Sequence, residues 1–143
     1  MDINKKIITH SAGETAGVGE RLAASLKPTL LCLYGDLGSG KTTFTQGFAR
    51  GLGFSGRLLS PTFIIVRRYQ IPIKEYFFYH IDLYRTKTIE DIKNLGFSEI
   101  INDPRAYVII EWAEKLDSLL PDKRIDIHFC LNKDDSHTII IGR

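Results

Sequence analysis

Between residues 35 and 43 the chain reads Gly-Asp-Leu-Gly-Ser-Gly-Lys-Thr-Thr, so Gly35, Gly40, Lys41 and Thr42 meet the spacing G-x-x-x-x-G-K-[ST]. These residue types suit the holding of phosphates. Glycines let a backbone wrap its N–H groups around an anion, and a helix that begins at that point turns its positive end to the same anion. The pattern directs Lys41 to the β- and γ-phosphates of a nucleotide and the Thr42 hydroxyl to a magnesium ion bridging them. The whole run of Gly35, Asp36, Leu37, Gly38, Ser39, Gly40, Lys41, Thr42 and Thr43 is the expected nucleotide contact.

Such a loop works with a second acidic group that holds the metal from an adjacent strand, placed where an apolar run ends. Asp82 and Glu111 both stand at such ends. Glu111 follows the cleaner run, Ala106 to Ile110, and is assigned to the metal, directly or through water. Asp82 then orients the attacking water or stands in the second shell of the metal. His80 points the same way as Asp82 along a strand, but as a metal pair the two lack an evident third ligand. Asn132-Lys133-Asp134-Asp135 matches the N-K-x-D pattern that reads guanine. That motif belongs between a strand and further βα structure, whereas a strand alone follows here and the D-x-x-G of a second GTPase switch is absent. A turn is the expectation, since Asn and Asp side chains bond their own backbone.

The elements that must position these groups follow from periodicity. Leu30 to Tyr34 is an apolar run of strand length, and Phe44 and Phe48 follow the loop at i, i+4, which gives strand, loop and helix in order. That helix is expected to end near Gly51 and Gly53. Ahead of it, Ile3 to Thr9 predicts a strand, and Ser11 with Glu14 opens a helix towards Leu26. Gly17 and Gly19 should weaken this helix by about 1 kcal/mol each, leaving it dependent on Val18, Leu22 and Leu26. Ser60-Pro61-Thr62-Phe63 predicts a loop that presents Thr62. Ile65 to Ile71 and Phe77 to Tyr84 alternate as two strands joined by a turn over Pro72 to Glu75. Thr88 with Asp91 starts one short helix, and Phe97, Ile100 and Ile101 mark another. Ala106 to Ile110 has the pattern of a parallel strand buried on both faces. Trp112, Leu116, Leu119 and Leu120 predict a helical stripe that Pro121 stops, and Ile125 to Leu131 with Thr138 to Ile141 an antiparallel hairpin. The expected architecture is α/β: a P-loop NTPase-like three-layer fold whose mixed sheet has a parallel core and antiparallel hairpins.

At 143 residues and 43% hydrophobic content, residues 1–143 are expected to form a single domain that needs no disulfide or structural metal. A net charge of +2, from 19 basic and 17 acidic side chains, is too balanced for nucleic-acid binding by charge alone, so RNA contact would be shared with a partner. Cys32 and Cys130 lie in apolar runs without a Cys-x-x-Cys pair and are expected as buried thiols in a reducing compartment. No stretch approaches the roughly 18 apolar residues of a membrane span, and a cytoplasmic location is expected.

Taken in order, the phosphate loop through Phe44, Ser60-Pro61-Thr62-Phe63, His80-Ile81-Asp82-Leu83-Tyr84-Arg85 and Glu111-Trp112-Ala113-Glu114 resemble the successive motifs of the bacterial TsaE family, also called YjeE. The resemblance covers nearly the whole chain. It implies an ATPase, with ATP/ADP and Mg2+ as ligands, needed to form threonylcarbamoyladenosine at position 37 of tRNAs that read codons beginning with A. It also implies a complex with the paralogous partners TsaD and TsaB, tRNA being reached only through that complex. Carried over by position, Lys41 and Thr42 serve phosphate and magnesium, Thr62 and Asp82 lie in switch-like segments near the γ-phosphate, Glu111 helps hold the metal, and Trp112 lies close to the nucleotide. The departures are Ser39, where alanine is usual, and Phe97 with Ile100-Ile101, which partly replace the usual acidic and aromatic residues and so bear on any partner contact of this surface. A small phosphotransferase and a nucleotide-dependent binding switch are the competing readings. The first needs a charge-screening arginine, for which Arg67, Arg68 and, better, Arg85 are available.

Overall fold

The computed structural model describes residues 4–55, 66–72 and 75–142. Four of the five residues of the strand Leu30–Tyr34 (β2) are buried, and all six of Ala106–Glu111 (β5) are. Strands buried on both faces must lie inside a covered sheet. With β1 (Lys5–Thr9), β3 (Val66–Gln70), β4 (Phe77–Asp82), β6 (Ile125–Leu131) and β7 (His137–Gly142), they form one seven-stranded sheet of order β1-β7-β6-β2-β5-β4-β3. β2 runs parallel to β5 and β6, and β4 runs parallel to β5. β3 and β7 are antiparallel to their neighbours. This is the mixed sheet with a parallel core that the sequence pattern predicts.

Helices α1 (Ala12–Ser25) and α2 (Lys41–Gly51) cover one face, with Leu22, Phe44 and Phe48 over Leu31, Leu33 and Ile109. On the other face the short helices α3 (Ile89–Lys93) and α4 (Phe97–Ile101) bring Ile92 and Phe97 against Ile81, Leu83, Val108 and Ile110. Ser11 Oγ accepts from Glu14 N at 3.1 Å at the start of α1. Thr88 and Asp91 form a reciprocal capping box at the start of α3.

Several expectations need correction. Gly19 is no mere weakness in α1, because a side chain there would stand 2.9 Å from the Phe48 backbone nitrogen and closer still to the Phe44 carbonyl. Gly47 and Gly51 are pressed in the same way on the carbonyls of Ala16 and Glu20. Small residues at the crossing let α1 and α2 touch backbone to backbone. Trp112 to Leu120 is not a single helical stripe: Trp112 has φ 61°, and two 3-10 turns follow, Ala113–Lys115 and Asp117–Leu119. Cys32 is buried, but Cys130 is exposed. Along β6 the residues Ile125, Ile127 and Phe129 face the α1–α2 core, so alternation places Cys130 on the opposite face. Ser60 to Phe63, including Thr62, and the middle of the turn over 72–75 lie outside the described residues.

Candidate functional site

β2 leads directly into the phosphate loop. Gly35 has φ 149°, and a Cβ there would meet Ser39 Oγ at 2.6 Å and Phe129 O at 2.7 Å, so the position admits only glycine. Ser39 N donates to Asp36 O at 3.1 Å, which closes the loop on itself. Gly40, at φ 110°, starts α2 without a side-chain cap, leaving the first-turn N–H groups of an 11-residue helix to an anion.

Lys41 is only 5% exposed. Its ammonium donates to Gly35 O, to Asp36 O at 2.9 Å and to Ser39 Oγ at 3.5 Å, and lies 4.3 Å from the centre of the Trp112 ring. Burial lowers its pKa below the ordinary lysine value, against the opposing pull of Glu111. Thr42 Oγ1 donates to Glu111 Oε1 at 3.1 Å. Glu111, 2% exposed at the end of β5, shares its other oxygen with His80 Nε2. His80 is 1% exposed, stacks on the Phe78 ring, and holds its Nδ1 buried without a hydrogen-bond partner among the described residues.

Asp82 stands beside Glu111 in the β4–β5 register. Its Oδ1 accepts from Tyr84 N at 3.0 Å, and burial raises its pKa, with the neighbouring Glu111 adding to the effect. Trp112 is held in the left-handed region, which costs a non-glycine residue about 1–2 kcal/mol and turns its ring back over Lys41 and against Tyr84, 5.1 Å between ring centres.

A cleft of about 430 Å³ joins these groups. Leu37, Gly38, Gly40, Lys41, Thr42, Thr43, Asp82, Glu111 and Trp112 all line it. Gly35, Asp36 and Ser39 form the back of the loop and bond Lys41. His80 and Asp82 do share a face, yet His80 is committed to Glu111. Residues not foreseen are Ala12 and Thr15 of α1 and His137 of β7, which also line the cleft; His137 Nδ1 is 2.8 Å from Ser39 O. Nothing local marks His137, because only the sheet order carries β7 to the loop.

The Asn132–Asp135 segment is a turn. Asn132 N donates to Ser136 O at 2.8 Å, and its side-chain amide is engaged by Ser136 and Thr138. Arg68 lies 4.0 Å over the Phe77 ring, on the face opposite Arg67, and Arg85 lines the cleft.

The family model described as threonylcarbamoyl adenosine biosynthesis protein TsaE matches residues 9–139. A Bacillus subtilis protein named tRNA threonylcarbamoyladenosine biosynthesis protein TsaE is 38% identical over 130 residues, covering 88% of this chain and 77% of that one. A Rickettsia bellii protein of the same name is 36% identical over 135 residues, covering 93% and 91%. The crystal structure of Bacillus subtilis YdiB superposes with a TM-score of 0.79 at 32% identity, over 96% of this chain and 84% of that one. Since the match runs through each segment that lines the cleft, from α1 through the phosphate loop and β5 to β7, the chain belongs to the TsaE family.

Proposed function

We propose that residues 1–143 form a single P-loop ATPase domain that binds ATP with Mg2+ and hydrolyses it in the formation of the threonylcarbamoyl group on adenosine 37 of tRNAs reading codons beginning with A. It acts with TsaD and TsaB, and meets tRNA only through that complex. The observation that carries this reading is the convergence of Lys41, Thr42, Asp82 and Glu111 on one cleft at the uncapped start of α2.

The donor set fits magnesium: a threonine hydroxyl and a carboxylate oxygen 3.1 Å apart are hard oxygen ligands, and magnesium beside a nucleotide takes few protein ligands. Thr42 and Glu111 would hold it, and the ion supplies countercharge to the terminal phosphates. On binding, Lys41 exchanges its loop carbonyls for the β- and γ-phosphates, while the first-turn N–H groups take the remaining phosphate oxygens. His80 fixes the Glu111 carboxylate from behind. Asp82 orients the water whose oxygen attacks the γ-phosphorus as the bond to the ADP oxygen breaks. Thr62, outside the described residues, is assigned a switch role at that phosphate on the resemblance of its motif alone, and Trp112 covers the phosphate end of the cleft.

Hydrolysis by the chain alone is expected to be slow. Leu37, 75% exposed, and Tyr84, 49% exposed, give the cleft an apolar rim that a protein partner can cover. The location proposed is cytoplasmic; no helix among the described residues is long and apolar enough to cross a membrane.

The test is reconstitution with purified TsaD and TsaB, ATP, tRNA and the activated threonylcarbamoyl donor, read as modified base over repeated turnovers. ADP release is measured in parallel, alone and with the partners, for parent and Asp82→Ala. ADP formation that requires an acceptor nucleoside would identify a phosphotransferase instead. Partners that bind yet leave the ATPase rate unaltered would make the chain a passive nucleotide-dependent switch.

A further inference from the structure

Lys115 ends the first 3-10 turn after Glu111, and its ammonium donates to Tyr84 O at 2.6 Å and to Thr86 O at 3.0 Å. Both acceptors belong to the turn that follows β4. Within that turn Thr86 bonds Leu83 O twice, through its N–H at 3.1 Å and its hydroxyl at 2.7 Å. Leu83 N reaches Glu111 O at 3.2 Å and so extends the β4–β5 ladder by one rung. Beyond that rung, Lys115 adds two hydrogen bonds that tie the turn to the segment after β5. Asp82, at the end of β4, and Tyr84 and Arg85 of this turn line the cleft.

The ammonium has three donors and no acceptor capacity, which suits two carbonyls converging from one side. Among the described residues Lys115 makes no ion pair, so its charge is not committed to a surface carboxylate. It also lies 6.0 Å from the centre of the Tyr84 ring, which contacts Trp112, the ring that Lys41 approaches. Each ring of the pair thus has a lysine near it, Lys41 of the phosphate loop at Trp112 and Lys115 at Tyr84.

We infer that Lys115 is a positioning residue for ATP hydrolysis: a clamp on two backbone carbonyls that holds the 82–86 segment against the 111–115 segment, so that Asp82 and Arg85 face the terminal phosphate. The inference rests on the hydrolysis reading above and deepens it. Lys115 itself lines no part of the cleft and touches no reacting atom.

The experiment compares parent, Lys115→Met and Lys115→Arg. Methionine keeps the stem but donates nothing, whereas arginine can still offer two N–H groups to two carbonyls. Three readouts are taken: the ATPase rate with TsaD and TsaB, ADP affinity by calorimetry, and acrylamide quenching of Trp112, the single tryptophan of the chain. For Lys115→Met the expected result is a fall in kcat of about tenfold or more with nucleotide affinity within about twofold of the parent. Quenching of Trp112 should rise, because Tyr84 no longer shields it, and Lys115→Arg should recover most of both. Parental kcat and quenching in Lys115→Met overturn the clamp, as does an equal loss of affinity and kcat that arginine does not repair. A parent that hydrolyses no ATP with its partners overturns the function reading instead; the clamp is then decided by quenching, and an unchanged Trp112 signal in Lys115→Met overturns it.

Discussion

Alanine at Gly17 and alanine at Gly19 should move stability in opposite directions, although both glycines sit two residues apart in α1. Replacing a helical glycine by alanine gains about 0.8–1 kcal/mol through backbone entropy and propensity. At Gly17 the nearest atom a new Cβ meets is the Arg21 guanidinium nitrogen at 3.2 Å, the far end of an exposed side chain that can swing away. That variant keeps most of the gain. At Gly19 the new methyl would stand 2.9 Å from Phe48 N and closer still to Phe44 O, and neither atom can yield without moving α2. Ordinary carbon contacts begin near 3.5 Å, so the helices must part by about an ångström at their crossing. Overpacking of this kind costs about 1–3 kcal/mol or more, which outweighs the propensity gain and leaves Gly19→Ala about 2 kcal/mol below the parent. The two variants should therefore differ by about 3 kcal/mol, roughly 10 °C in Tm for a chain of this size. Urea and thermal denaturation followed by circular dichroism measure the gap. Because α2 carries Lys41 to Thr43 at its start, Gly19→Ala should also weaken ADP binding, while Gly17→Ala leaves it intact. A Gly19→Ala protein as stable as the parent, or a Gly17→Ala protein destabilised to the same degree, would refute the backbone-contact account of this crossing.

Glu111→Gln keeps the shape of a side chain that serves Thr42 and His80 but removes its charge, so hydrolysis should fall about a hundredfold while nucleotide affinity falls much less. Equal activity of variant and parent would move the metal role to Asp82. Burial holds the Lys41 pKa below its ordinary value in the free chain, and a bound phosphate restores the charged form. Nucleotide binding should then take up a proton, and affinity should fall as pH climbs through the depressed value; calorimetry in alkaline buffers of different ionisation heat reads the proton directly, and zero uptake there sinks the account. With a thiol reagent, Cys130 should react at once and Cys32, whose thiol burial pushes up to about 12, only after unfolding; two promptly reactive thiols would contradict the buried position of β2.

What was legible beforehand is whatever depends on neighbours in sequence. The continuous apolar run before Glu111 identified a doubly buried strand, and the Thr88 and Asp91 spacing identified a capped helix, because periodicity and capping act within a few residues. The phosphate loop was legible for the same reason, its lysine, threonine and glycines being consecutive. His80 against Glu111 was not, since the two are 31 residues apart and meet only because β4 lies next to β5 in the sheet. His137 beside Ser39 is a longer leap of the same kind, 98 residues. Trp112 misled for a different reason: Trp112, Leu116 and Leu119 do recur at helical spacing, but the left-handed Trp112 breaks the helix before it starts. Alternation along β6 told which residues share a face without telling which face a helix covers, and Cys130 fell on the wrong side of that choice.

The sheet order also dictates when the phosphate loop can become competent during synthesis. Every residue assigned to phosphate, metal or water has been made once the chain reaches Trp112, yet β2 is then flanked by β5 alone. Its other neighbour is β6, which supplies the Phe129 carbonyl packed against Gly35, and β7 brings His137 to Ser39. β7 in turn pairs with β1, joining Lys5 to Ile141 across almost the full described length. Contacts so distant in sequence form late, because the loop they close must first be ordered. A ribosome-bound chain halted before β6 should thus leave its lysine and glycines unable to grip ATP, and nucleotide cannot rescue an early intermediate by binding it. The hairpin that looks most remote from the chemistry is the part whose arrival switches the loop on.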